Sequence, residues 1–319
     1  MISLEKLKNL LLLLLLALFA AALVFFPAEA SDAARQGLQL CLQTVLPSLF
    51  PFFVLSSLFI ASGAADAFGR ALEPVMRPLF YLSGAGASAL ALGLVGGYPV
   101  GARTVAELYR GGSLSKAEAE KLLGFCNNAG PGFILGICGG AVFGSVRAGL
   151  SLYFVHVAAA VLTGVMLRRC AVMECAAERP RRARTQPKSL AASFPAAVRD
   201  SFAAVWSVCG FVVIFAVVLR FVTLLLPGRV LLVGFIELTN GVTSLPADRG
   251  GFVLCAAFLA WGGLSVHAQT LSVLEDTGLS ARWYFLGKLV QTALSVPLAL
   301  SMAALLSARA VLPALFWRF

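Results

Sequence analysis

The chain has 319 residues, of which 60% are hydrophobic and only 13% are charged, with a mean hydropathy of +0.90. Soluble domains carry about 25% charged residues, so the composition excludes an ordinary soluble globule and points to an all-α, polytopic membrane protein. The net charge of +10 gathers near segment ends and in one loop, which suits anionic lipid and topology control and gives no sign of a nucleic-acid partner.

At the N-terminus, Lys6 and Lys8 precede an apolar run from Leu10 to Phe26, followed by Pro27-Ala28-Glu29-Ala30. The small residues resemble a signal-peptide cleavage site. The run is longer than a usual signal core and close to the ~20 residues needed to span. Residues 1–30 are therefore read as an N-terminal membrane helix of the signal-anchor kind. With or without cleavage, residue 31 emerges outside.

The apolar segments in chain order are 9–26, 38–62, 84–100, 122–145, 149–168, 199–226, 230–246, 251–274 and 284–308. Between the fifth and sixth, Arg168, Arg169, Arg179, Arg181, Arg182, Arg184 and Lys188 crowd together with Pro180 and Pro187. Positive loops stay in the cytoplasm, so residues 169–198 form a basic cytoplasmic loop. It divides a first repeat, 31–168, from a second, 199–319. With the N-terminus inside, the second segment comes back in and leaves Arg70 and Arg77 there. If the next three segments all crossed, the basic loop would end outside, so one of them fails to cross. The stretch 84–100 is short and is broken by Gly96-Gly97-Tyr98-Pro99. A re-entrant hairpin there restores the parity, and non-helical backbone at that depth implies a protein-lined or wet cavity. A kinked helix is the alternative.

The second half contains GGLSVHAQTLSVLEDTG, residues 262–278, which matches GGYPVGARTVAELYRGG, residues 96–112, at seven of seventeen positions. Both run on into Leu-Ser, at Leu114-Ser115 and Leu279-Ser280, and Ser115 with Glu118 has the capping-box spacing. Glu73 precedes the first copy much as Glu237 precedes the second. The helices before the two copies run in opposite directions. The expected architecture is therefore about eight membrane segments in two inverted repeats with broken or re-entrant helix hairpins, a recurring transporter design.

The segments GGYPVGARTVAELYRGGSLSKAEAEKLLGFCNNAGPGFI, GFIELTNGV and WGGLSVHAQTL, in this order, resemble the Gate (nucleoside-recognition) domain family, and within it the sporulation integral membrane protein branch of YlbJ type. The resemblance covers about residues 40 to 300. It implies kinship with concentrative nucleoside transporters and with the gate region of ferrous-iron transporters, and hence inverted repeats with hairpins. For this branch it implies a role in endospore formation, specifically the spore cortex, in the forespore or mother-cell membrane, with no established substrate. On these motifs GYPVG falls on Gly97–Gly101, CNN on Cys126–Asn128, E-x-T-N-G on Glu237–Gly241 and GGLSVHAQ on Gly262–Gln269. Nucleoside transporters read the base with a glutamate in the first hairpin. Here that tip is Gly-Tyr-Pro-Val-Gly.

The candidate site follows from these breaks. A helix starting near Gly97, Tyr98 and Pro99 would present backbone N–H groups and about half a positive charge to an anionic or polar ligand. The second copy, starting near Ser265, would face it. Arg103 and Glu107 share a helix face and either line a polar path or sit on a cytoplasmic amphipathic stretch. Gln269 takes the Arg103 position in the second copy. His267 could carry a proton or be a hydrogen-bonded core residue. Glu237, with Thr239 and Asn240, is a candidate binder of a coupling Na+ or H+, or an acid placed before a turn. Asn127 and Asn128 supply amides for a ligand or for helix packing. There is no Ser/His/Asp constellation, phosphate loop or metal-ligand spacing, so no enzyme, cofactor or metal site is expected. The partners expected are the lipid bilayer and a small polar solute. A homo-oligomer stays open.

Overall fold

The computed structural model describes residues 4–168 and 189–308. The basic stretch 169–188, with Cys170 and Cys175, lies outside them. The described chain is helical, without a strand among the described residues. The helices are α1 (Leu4–Phe25), α2 (Pro27–Leu40), α3 (Leu46–Ala61), α4 (Ala64–Phe80), α5 (Ala87–Gly96), α6 (Val100–Arg110), α7 (Lys116–Cys126), α8 (Val146–Leu167), α9 (Leu190–Leu225), α10 (Val230–Ile236), α11 (Leu238–Thr243), α12 (Arg249–Trp261), α13 (Gly263–Leu274) and α14 (Arg282–Ala308). Short π-type stretches join α2 to α3 at Cys41–Val45 and follow α7 at Gly132–Val142. The outside is apolar, with Leu13, Leu18, Phe154, Trp206 and Leu289 exposed, while Lys121, Asn127, Asn128, Lys288 and Gln291 are wholly buried. That is the partition of a chain whose solvent is lipid.

One face of the molecule is marked by the end of α8. Lys121 Nζ donates to the Arg168 carbonyl at 3.0 Å, and Arg168 donates to the Pro78 carbonyl at 3.3 Å. The Arg168 guanidinium also lies 5.4 Å from the Tyr81 ring centre. The Ser83 amide donates to Glu118 at 2.8 Å, and the Ser280 amide donates to Glu120 at 2.8 Å. Residues 78–83, 115–121, 168 and 280 therefore share this basic face.

Two consequences follow. Between Ser83 and Ser115 the chain leaves the basic face and returns to it, so α5 and α6 form a re-entrant hairpin, as the parity requires. Ten residues of α5 rise only about 15 Å, half of a ~30 Å hydrocarbon core. The arms close on two glycines, since a Cβ on Gly93 would stand 2.9 Å from the Gly101 Cα. At the tip, Gly97 has φ +83° and follows the last turn of α5, a conformation glycine adopts without steric cost. The second consequence concerns α7. Together with Gly132–Val142 it carries the chain to the far face, because α8 packs back along it, with Gly139 against Gly149, and ends again at the basic face.

The second half is the mirror of this arrangement. Helix α9, with 36 residues, lies antiparallel to α2 and α3: Phe202 meets Phe50 and Phe221 meets Phe26. It ends at the far face. There α10 and α11 double back at Glu237, where a Cβ on Gly241 would strike the Gly234 Cα. With seven and six residues these arms are only about 10 Å long. The stretch 230–246, expected to be a membrane segment in its own right, is a second short hairpin. The run Arg249–Thr277 then crosses as one 29-residue candidate span, broken at Gly262-Gly263 without turning back. The repeat expected from residues 96–112 and 262–278 therefore pairs unlike parts, a hairpin tip and a span break. In space, hairpin matches hairpin and broken span matches broken span. Glu73 is likewise no counterpart of Glu237: it sits on α4 and binds the Gly84 amide and Arg77.

Among the described residues four helices are long and apolar enough to cross a membrane, or up to six if each bent pair is one span, against the eight expected. The shortfall has a physical reason. The breaks leave α7 and Gly132–Val142 each too short to qualify alone.

Candidate functional site

Each hairpin tip abuts the break of the span that follows it. At the first, a Cβ on Gly97 would stand 3.0 Å from the Gly130 amide nitrogen, beside the stretch 127–131 where α7 has unwound. At the second, a Cβ on Gly263 would stand 3.2 Å from the Glu237 Cα. Helix α14 runs alongside α7 and past both breaks.

Lys288 of α14 occupies the junction. It is wholly buried, and its Nζ has four oxygen acceptors. These are the Asn127 carbonyl at 2.6 Å, Gln291 Oε1 at 2.8 Å, Tyr98 Oη at 3.2 Å and the Ala260 carbonyl at 3.4 Å. Tyr98 Oη itself donates to the Leu259 carbonyl at 2.8 Å. The carbonyls of Leu259, Ala260 and Asn127 belong to helix ends that have no intrahelical partner to offer. Gln291 Nε2 donates to Asn128 Oδ1 at 2.8 Å, and Asn128 Nδ2 donates to the Phe125 carbonyl at 2.8 Å.

The network extends through Asn127. Its Nδ2 donates to Thr270 Oγ1 at 2.9 Å, and its Oδ1 accepts from the Ala102 amide at 3.4 Å. Thr270 Oγ1 lies 3.3 Å from Tyr284 Oη, which is 2.8 Å from His267 Nδ1. His267 Nε2 has no partner, and the ring is walled by Trp261, Tyr284 and Phe285. One continuous polar chain thus ties the first hairpin tip, both breaks and α14 together.

Of the expected site residues, Gly97, Tyr98, Pro99, Asn127, Asn128 and His267 lie in this junction. The start of α6 is not the open amide cradle that was expected. The Val100 amide bonds to the Gly97 carbonyl, and that of Ala102 to Asn127. Ser265 and Gln269 are buried and bond to each other at 3.2 Å. Arg103 lies apart, between α6, α3 and α9. It pairs with Glu107 at 2.9 Å and reaches Ser57 and Ser201. Its guanidinium stacks 4.6 Å from the Phe53 ring, and its Nη1 has no partner. Glu237 is spent on its own hairpin. It accepts from the Thr239 amide at 3.0 Å, the Asn240 amide at 2.7 Å and Asn240 Nδ2 at 2.8 Å.

Sequence reasoning missed Lys288, Gln291, Thr270 and Tyr284. The signal was present: a Lys and a Gln three apart in the apolar segment 284–308, where a charge is functional by default. A groove of about 340 Å³ lies on the basic face, lined by Glu120, Ser280, Arg282, Trp283 and Leu286.

Residues 42–167 match the family model described as nucleoside recognition, Gate. The chain is 28% identical to the sporulation integral membrane protein YlbJ of Bacillus subtilis (strain 168), over 91% of this chain and 81% of that one. No solved structure matches it. With its apolar exterior and buried polar junction, the chain is a multi-pass integral membrane protein that carries the nucleoside-recognition (Gate) pattern in residues 42–167 and is similar to the sporulation protein YlbJ along most of its length.

Proposed function

We propose that this protein is transporter-like: it moves or senses a small polar solute at the junction where the hairpin tips meet the broken spans. One observation carries the reading. Two hairpins enter from opposite faces, and each ends against a break in a span. A structural protein has no need of unwound backbone at that depth, whereas alternating access uses it. Asn128, Gln269, Ser265 and the unpartnered His267 Nε2 supply polar contacts for such a solute, with Na+ or H+ as the candidate coupling ion. The similarity to YlbJ supports a role in sporulation, with cortex formation as the step served.

A second reading rests on the completeness of the junction. Its donors are nearly all bonded to protein acceptors, as in a fixed polar core, and this favours a non-transporting assembly protein of the same membrane. A thermal-shift screen of the purified protein separates the two. The probes are nucleosides, nucleobases, amino acids, dipicolinate and divalent cations. A transporter or sensor gains several degrees with one class and loses the gain in Asn128→Ala or Gln269→Ala. An assembly protein responds to none, while the same variants leave sporulation intact.

A further inference from the structure

Lys288 has no carboxylate partner: among the described residues no acid forms an ion pair with it. A bare charge at this depth is costly, so something else must balance it. Two features on the page do. First, Nζ has four oxygens around it, from Tyr98, Asn127, Ala260 and Gln291. An ammonium has only three protons to donate, so the cage holds one more acceptor than a lysine can serve. Second, two helices end here. Helix α7 stops at Cys126 and α12 at Trp261. Each C-terminus carries about half a negative charge, so together they offset one positive charge without an acid. Unwound carbonyls and half-helix C-termini around a cation are how secondary transporters hold a coupling ion.

We infer that the four-oxygen cage at the junction is a monovalent-cation site and that the Lys288 ammonium occupies it permanently, as a tethered substitute for a free ion. The protein therefore holds its two halves together without Na+, and of the two candidate coupling ions this leaves H+ for any solute movement through the junction. The consequence for coupling rests on the transporter-like reading, whereas the occupancy does not. Its test reads cation binding rather than solute binding, so the two can fail separately.

The test is the melting temperature of the full chain in detergent at 200 mM sodium chloride, methylammonium chloride or choline chloride. Wild type melts at the same temperature in all three. Lys288→Ala melts several degrees lower in choline, and sodium or methylammonium, small enough to enter the vacated cage, restores at least half of the loss. Lys288→Met keeps the bulk without the charge, leaves no room for an ion, and stays low in all three. Equal melting of Lys288→Ala in the three salts overturns the inference, as does a lysine-to-methionine variant as stable as wild type. If neither variant folds, wild type decides alone: stabilisation of wild type by sodium over choline shows a second, vacant cation site and overturns it.

Discussion

The two hairpins do the same architectural work with different chemistry. The first, α5 with α6, is long, is glycine-closed, and sends Tyr98 from its tip into the junction. The second, α10 with α11, is barely two turns per arm, and its tip residue folds its carboxylate back onto the start of α11. The first tip is thus bonded across the repeat boundary, to Leu259 and Lys288. The second bonds its tip carboxylate to itself and meets the next break through close packing at Gly263, a stack of Phe235 on Trp261 and one exposed hydrogen bond, from Trp261 Nε1 to the Phe235 carbonyl at 3.1 Å. Opening at the second tip breaks one exposed bond, that of the Trp261 indole, which water can replace, whereas opening at the first strands the buried Tyr98 hydroxyl. If one hairpin moves as a gate, it is the second.

The most decisive way to break this comparison is topological, and its outcome is all or none. In a cysteine-free background, single cysteines at Arg77 and Lys116 label from one side of the membrane, and a cysteine at Arg249 labels from the other. Labelling of positions 77 and 116 from opposite sides would make 84–110 a crossing and end the mirror relation between the halves.

Packing substitutions give the next largest effect. A Cβ on Gly93 or on Gly101 would overlap the Cys126 carbonyl, and backbone cannot move aside as a side chain can. Gly93→Val and Gly101→Val are each expected to cost at least the ~1–3 kcal/mol typical of overpacking, read as a fall in melting temperature and in detergent-extracted yield. Gly132→Ala, where a Cβ meets nothing within 4 Å, is the control and stays near wild type. Equal loss in all three would remove the claim that the hairpin is seated on the break.

Glu237→Ala tests the self-contained tip. It removes a side chain that accepts from two amides at the start of α11, and loss of a cap costs about 0.5–2 kcal/mol. The damage stays local: hydrogen exchange quickens at residues 239–243, while the amides around Asn127 and Ala102 keep their protection. Spread of the loosening to the junction would show that the second hairpin is wired in as firmly as the first.

Much of this was legible in the sequence, and the failures have definite causes. The parity of positive residues located the first hairpin correctly because Arg70, Arg77 and the basic stretch fix sides without reference to packing. The second hairpin escaped because a mostly apolar stretch of seventeen residues, 230–246, looks like a span, and Gly234 and Gly241, which let its arms touch, resemble the many glycines that merely ease helix packing. The direct match of 96–112 to 262–278 paired glycines that serve different purposes. Gly97 turns a tip, whereas Gly262 and Gly263 interrupt a straight run. Glu237 was singled out as a buried acid, yet its charge is absorbed by the helix start beside it. The charge that reaches the junction is Lys288, hidden at the sequence level because it lies less than two turns from Arg282 near a segment end, where a lysine ordinarily marks an interface.

The smallest expected effect is the most specific to the wired tip. Tyr98→Phe deletes one oxygen and leaves the ring in place. Lys288 keeps three acceptors, the carbonyls of Asn127 and Ala260 and the amide oxygen of Gln291, which match its three protons. The loss falls on the Leu259 carbonyl, left at the end of α12 without its donor. One neutral hydrogen bond is worth about 1 kcal/mol, or about 2 °C in a chain of this size. The sign and the size both matter. A drop several times that size would mean that Tyr98 is needed to saturate the ammonium, and the cage would then have no acceptor to spare. No drop at all would mean that water replaces the hydroxyl, which requires the junction to be wetter than its burial allows. Between those limits, a loss of about 2 °C with unchanged melting of Tyr98→Phe in sodium and choline assigns the hydroxyl to the link between the first tip and the second broken span.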